Sequence, residues 1–185
     1  MYAGERLAAA LSELGPAFIK LGQVLSTRSD LLGEQVAADL AKLQDQVPPF
    51  PSAQSRAIVE RSLGRPIEEA FASFDAEAVA SASIAQVHFA VTPEGQEVAV
   101  KVLRPRIEQA FARDISLMRW MAVQVERRLP QLARLKPRAV VETFASTIAL
   151  ELDLRFEAAA AEELRENSAD DKDFYVPRID WQRTA

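Results

Sequence analysis

ASASIAQVHFAVTPEGQEVAVKVL, residues Ala80–Leu103, is the stretch on which the fold turns. Two short runs rich in β-branched residues flank Thr92-Pro93-Glu94-Gly95, and that pattern predicts an antiparallel hairpin over 82–103. In the second run, alternation puts Val98, Val100 and Val102 on one face of a strand and Ala99, Lys101 and Leu103 on the other. A lysine is thus held between small and apolar neighbours, at the centre of a strand. Ahead of the hairpin lies Ala80-Ser81-Ala82-Ser83, a loop of alanine and serine. Glycine at such a position would allow positive φ and close approach of backbone N–H groups to an anion; alanine and serine resist both.

Outward from the hairpin the period changes to that of helices. On the N-terminal side, Gly15-Pro16 separates two helices, and PAFIKLGQVLSTR carries Phe18, Leu21 and Leu25 on one face with Lys20, Gln23 and Thr27 on another. EQVAADLAKLQDQV reads as a helix burying Val36, Leu40 and Leu43, stopped at PPFPS, where Ser52 is placed to cap AQSRAIVERSL and Gly64 to end it. On the C-terminal side two long helices are expected, at about 105–129, ended by Pro130, and about 137–167, opened by Pro137. The segment 174–181, within DFYVPRIDW, reads as the start of a further strand. The fold class expected is α+β, with a helical region over 1–75 and a mixed region over 76–185.

Composition removes several function classes. At 185 residues, 49% of them apolar, the chain can bury a core. It contains no cysteine, so disulfides, thiolate catalysis and cysteine metal sites are excluded. Its single histidine, His88, lies inside the hairpin and reads as structural; one histidine does not make a metal site, which needs several convergent ligands. The net charge is −5 with basic and acidic residues interleaved, which argues against nucleic acid as a partner. No apolar run approaches the roughly 18 residues of a membrane span, and MYAGERLAAALSELG has no signal-peptide pattern. The expected location is cytoplasmic, compatible with a peripheral place at an inner membrane.

A strand lysine with a phosphate-facing loop before it and a glutamate-bearing helix after it is the order used by protein-kinase N-lobes. VAVK alone is weak, since a buried strand often ends in a lysine that reaches out to water. Four segments together are specific: FIKLGQVLSTRSDLL, ASASIAQVH, VAVKVLRP and ELDLRFEAAAAEEL. In this order they resemble the UbiB family, the AarF-domain atypical protein-kinase-like proteins linked to ubiquinone biosynthesis.

The resemblance implies a kinase-like N-lobe, a small antiparallel sheet with long helices, preceded by a helical extension. The extension carries the family's Lys-x-Gly-Gln motif, here Lys20, Gly22 and Gln23, and would cover the site where a protein substrate would dock. By the same resemblance Ala80, Ser81, Ala82 and Ser83 form the alanine-rich nucleotide loop, Ala99 and Lys101 contact nucleotide, Glu151 and Asp153 form the Glu-x-Asp signature, and Glu157 pairs with Lys101. In one regular helix Glu151 and Asp153 point nearly oppositely, and Glu151 and Glu157 cannot both face Lys101. Glu157 is therefore assigned to Lys101 and Glu151 to the Lys-x-Gly-Gln helix.

ATP and Mg²⁺ are the implied cofactors, with the Mg²⁺ ligands outside this chain: it has no Asp-Phe-Gly, and its histidine precedes Lys101. The C-lobe is absent on this reading, and the chain alone is expected to be catalytically incompetent. Two functions follow: part of an ATP-dependent kinase or ATPase of quinone-lipid biosynthesis, or a non-catalytic module that engages membrane lipid or quinone-biosynthesis proteins. A flavin or iron hydroxylase finds no fingerprint or ligand set.

Overall fold

The computed structural model describes residues 2–43 and 47–185. In chain order the elements are α1 (Ala3–Leu14), α2 (Pro16–Ser26), α3 (Ser29–Leu32), α4 (Glu34–Leu40), α5 (Ser52–Leu63), α6 (Ile67–Ala70), β1 (Ser73–Phe74), β2 (Ala80–Ser81), β3 (Ala85–Val91), β4 (Glu97–Leu103), α7 (Ile107–Arg128), α8 (Pro137–Leu152) and α9 (Leu154–Asn167). Short 3₁₀ turns occupy Pro130–Leu135 and Trp181–Arg183. This is the α+β architecture the hairpin implied, with one small antiparallel sheet among helices.

The chain forms two compact units that interleave along the sequence: Met1–Pro49, Ser81–Ala85 and Arg106–Ser146 in the first, and Phe50–Ala80, Gln86–Pro105 and Thr147–Ala185 in the second. They do not coincide with the 1–75 and 76–185 division. The shift of hydrophobic period near Ala76 marks a change of secondary structure, whereas the units are set by which elements pack together.

In the first unit α1, α2 and α4 pack on one another and α7 packs on α2. Leu11, Phe18, Leu40, Phe111, Met118 and Phe144 supply its buried apolar volume. Close approach of the helices is enforced at two glycines. A Cβ on Gly22 would lie 2.4 Å from Leu43 Cδ1 and 2.9 Å from Leu11 Cδ1, and one on Gly4 would lie 2.5 Å from Asp39 Oδ2. The helix expected over 34–47 ends at Leu40, Val36 and Leu43 are half-buried, and positions 44–46 lie outside the described residues.

Asp39 is a buried carboxylate in this packing, 2% exposed, accepting from Lys42 Nζ at 3.0 Å and weakly from Gln35 Nε2 at 3.4 Å. The Lys42 hydrogen bond holds its carboxyl below the usual aspartate value, against the opposing effect of burial. A folded-state pKa below the unfolded one gives stability that is present above the unfolded pKa and lost as pH falls through the folded pKa. Asp39→Asn is therefore expected to flatten the acid limb of stability against pH; denaturant midpoints followed downward from neutral pH measure it, and an unchanged acid limb would remove Asp39 from the account.

The second unit is built on the hairpin. β3 pairs with β1, β2 and β4, with Ser73 opposite Val91 and Phe74 opposite Ala90. The turn closes with Gly95 N–H donating to Thr92 O and Thr92 N–H to Gln96 O, both at 2.9 Å. Gly95 takes φ 84°, where a side chain would be strained. Val59, Ile67, Ala70, Phe71, Ala90 and Val102 form the core, with Val98 and Val100 packed against it. α5 opens at Ser52 with no side-chain cap, because Pro51 takes the N-cap position, and it ends at Gly64 in the left-handed region.

Two C-terminal expectations differ from the structure. The helix read over 137–167 is two helices, α8 and α9, broken at Asp153. Asp153 leaves helical geometry (φ −96°, ψ 96°) and its carboxylate accepts the Arg155 N–H at 3.1 Å, so it caps α9 instead of continuing α8. The segment 174–180 forms no strand, since Pro177 lacks an N–H for a ladder, and a 3₁₀ turn follows. Arg183 ties this tail down, donating to Ala70 O at 2.8 Å and forming ion pairs with Asp180 and with Glu94 of the hairpin turn.

Candidate functional site

Lys101 is presented by β4 on the side of the sheet away from the core. The valines Val98, Val100 and Val102 pack inward, and on β3 Gln86, His88 and Ala90 are buried. Ala99 and Lys101 therefore share the outer face with Val87 and Phe89, and Phe89 is 55% exposed. Lys101 Nζ lies 2.5 Å from Glu157 Oε2, in the first turn of α9. Both side chains keep contact with solvent, 35% for the lysine and 58% for the glutamate. The pair is open to solvent on both sides.

The helix break rearranges the acidic trio. Glu151 is in the last turn of α8 and half-buried, Asp153 is the cap, and Glu157 belongs to the next helix. The wheel geometry of a single helix does not apply to them. Asp153 forms a two-contact ion pair with Arg155 (Nε–Oδ1 2.9 Å, NH2–Oδ2 2.7 Å), which holds its carboxyl below the usual aspartate range.

In the first unit, Lys20, Gly22 and Gln23 lie on α2. Gly22 makes room for the leucines of α1 and of the stretch after α4, and Gln23 Nε2 donates to Leu43 O at 3.3 Å. Two of the three motif residues thus shape helix packing around Lys20, which is half-buried. The alanine-rich loop begins as a strand at Ala80–Ser81. Ser81 Oγ donates to Val47 O at 2.7 Å, Ala82 N–H donates to Ala85 O at 2.9 Å, and Ser83 is fully buried. None of the four has positive φ, so the loop is a closed turn without the alternating handedness of an anion nest.

The buried network beside the hairpin was legible only as one structural histidine. Phe50 N–H donates to Gln86 Oε1 at 2.8 Å, and Gln86 Nε2 reaches Phe50 O, Ser55 Oγ and His88 Nε2. His88 Nδ1 faces Asp75 O at 2.8 Å, and its ring stacks on Phe74. Among the described residues no cluster of three His, Cys, Asp or Glu could hold a metal ion.

The profile of the ABC1 atypical kinase-like domain matches residues 42–185. The chain belongs to this family. Curated relatives named "Probable protein kinase UbiB" support the assignment: that of Marinobacter nauticus is 52% identical over 98% of this chain, and that of Xanthomonas oryzae pv. oryzae is 49% identical over 98%. The chain spans about a third of their length, 33% and 34%. A solved structure, the complex of Rv3197 with erythromycin from Mycobacterium tuberculosis, is similar in fold with TM-score 0.64 and 32% identity, over 96% of this chain and 45% of that one. Within the ABC1 family this chain is thus a kinase-like, UbiB-related sequence. Among its described residues no helix is long and apolar enough to cross a membrane.

Proposed function

We propose that this chain is the nucleotide-binding part of a UbiB-like atypical kinase or ATPase that binds Mg-ATP and serves ubiquinone biosynthesis. The observation that carries the reading is the Lys101–Glu157 pair: a strand lysine on an open sheet face, oriented by a helix glutamate, is the arrangement with which kinases hold the α and β phosphates. Ala99 lies two residues from Lys101 on the same face of β4 and is proposed to contact the nucleotide beside it. On this reading the 185 residues bind nucleotide and carry out no phosphoryl transfer by themselves, because the sequence has no Asp-Phe-Gly aspartate.

By the family resemblance, Ala80, Ser81, Ala82, Ser83 and Lys20 are further candidates for setting nucleotide affinity. The test is nucleotide affinity after Ala82→Gly and Lys20→Ala. Loosening the loop turn and removing the cation should each change affinity for ATP relative to ADP by several-fold, with the thermal midpoint retained. Unchanged affinities in both variants would reduce these residues to packing.

A further inference from the structure

β3 buries Gln86, His88 and Ala90 and leaves Phe89, on its other face, 55% exposed. This ring shares the open face of the sheet with Lys101, and the turn fixes how close the two are. Thr92 N–H donates to Gln96 O at 2.9 Å, and counting back from that pair places Phe89 directly opposite Ala99 and Val87 directly opposite Lys101. The same count sets His88 against Val100 and Ala90 against Val98, which are the inward side chains of the two strands.

Hydrogen-bonded and non-hydrogen-bonded pairs alternate along the ladder, and Phe89–Ala99 falls among the latter, whose side chains approach most closely. Lys101 is then the diagonal neighbour of Phe89, within reach of an aromatic side chain. Ala99 is too small to cover the ring. On the other side of β3, Asp75 N–H donates to Phe89 O at 2.9 Å, and Asp75 is itself exposed. The ring therefore stands open, with an ammonium group at its diagonal.

We infer that Phe89 is the base-stacking residue of this face: its ring lies against a purine while Lys101 holds the phosphates of the same nucleotide. The inference rests on the nucleotide reading of Lys101. A phenyl ring beside a cation suits a ligand with a flat apolar part and an anionic part, which is the make-up of a nucleotide. At roughly 3.4 Å per residue, Ala99 and Lys101 are about 7 Å apart along β4, a spacing that a ribose and its 5′ carbon can bridge. The ring offers no hydrogen bond, so it selects by stacked area. A purine overlaps it more than a pyrimidine does, and Phe89 is thereby a specificity-determining residue as well as a source of affinity.

The test is isothermal titration of Mg-ATP, Mg-CTP and Mg-tripolyphosphate into the protein and into Phe89→Ala, Phe89→Trp and Lys101→Ala. Phe89→Ala should weaken ATP roughly tenfold, within the range of one base–aromatic stack, weaken CTP less, and leave tripolyphosphate unchanged. Phe89→Trp should hold ATP at least as tightly as phenylalanine does. Lys101→Ala should weaken all three ligands, tripolyphosphate included. The ring is more than half exposed, so the thermal midpoint of Phe89→Ala should stay within about 2 °C of the unsubstituted protein. Equal ATP affinity in Phe89→Ala, with Lys101→Ala still weakening ATP, overturns the stacking role and keeps the nucleotide site. A loss of tripolyphosphate affinity in Phe89→Ala as large as that of ATP overturns it as well, since the ring would then act through Lys101. If neither substitution changes ATP binding, or ATP does not bind, the nucleotide reading falls and the inference falls with it.

Discussion

Lys101→Ala is expected to weaken Mg-ATP binding by roughly ten- to a hundredfold, the range set by loss of charge-assisted hydrogen bonds to phosphate. Stability should hardly change. The Lys101–Glu157 pair is substantially open to solvent on both sides, and exposed ion pairs contribute at most about 1 kcal/mol. Loss of affinity without loss of fold is therefore the signature of a ligand-directed lysine. Glu157→Gln keeps the shape of the partner but removes its charge, so Lys101 keeps its phosphates and loses its orientation. An intermediate loss of affinity, smaller than that of Lys101→Ala, is expected. Calorimetric titration of both variants, with thermal unfolding as the control for fold, checks the order.

Gln86→Leu should produce the largest stability loss among the substitutions considered, about 3 kcal/mol, with an unchanged role for Lys101. The amide of Gln86 is oriented by its partners: a peptide N–H can only donate, so Phe50 fixes Oε1, and Nε2 is left to donate to Phe50 O and Ser55 Oγ. The Asp75 carbonyl can only accept, so His88 carries its proton on Nδ1 and offers Nε2 as an acceptor. Leucine would fill the space and satisfy none of these groups. Each buried polar group left without a partner costs about 1–3 kcal/mol, and Ser55 and His88, 3.1 Å apart, can recover part of that by bonding each other. The thermal midpoint should fall by roughly 6–12 °C, at about 2–4 °C per kcal/mol for a chain of this size. A fall of no more than a degree or two would mean that the network is incidental to folding.

The sheet was the most legible part of the molecule. Alternation across VAVKVL separates core valines from Lys101, and the turn residues Thr92 to Gly95 carry their own signal, so both the hairpin and the lysine's face follow from local chemistry. The break at Asp153 was hidden because neither proline nor glycine interrupts ELDLRFEAAAAEEL; the aspartate ends one helix by capping the next, its carboxylate accepting from the backbone and the side chain of Arg155. The interleaved units were hidden for a different reason. Whether α7 packs on α2 depends on the exposed backbone of neither helix but on complementary side-chain shapes far apart in sequence, which periodicity does not encode. Gly22 shows the same limit at one residue: the family motif marks it, and only the positions of Leu11 and Leu43 explain it. Ser55 and Gln86 carry no sequence signal beyond polarity, although a buried polar position at the inward phase of a strand is the pattern from which Gln86 and His88 could have been read together.

Lys101, held by Glu157 on the outer face of β4, is proposed to bind nucleotide phosphates. The most direct measurement is isothermal titration of Mg-ATP into the protein and into Lys101→Ala under the same conditions. Saturable binding to the first, weakened at least about tenfold in a still-folded second, is the predicted result. Equal affinity in the two proteins, or no binding to the unsubstituted one, would contradict it.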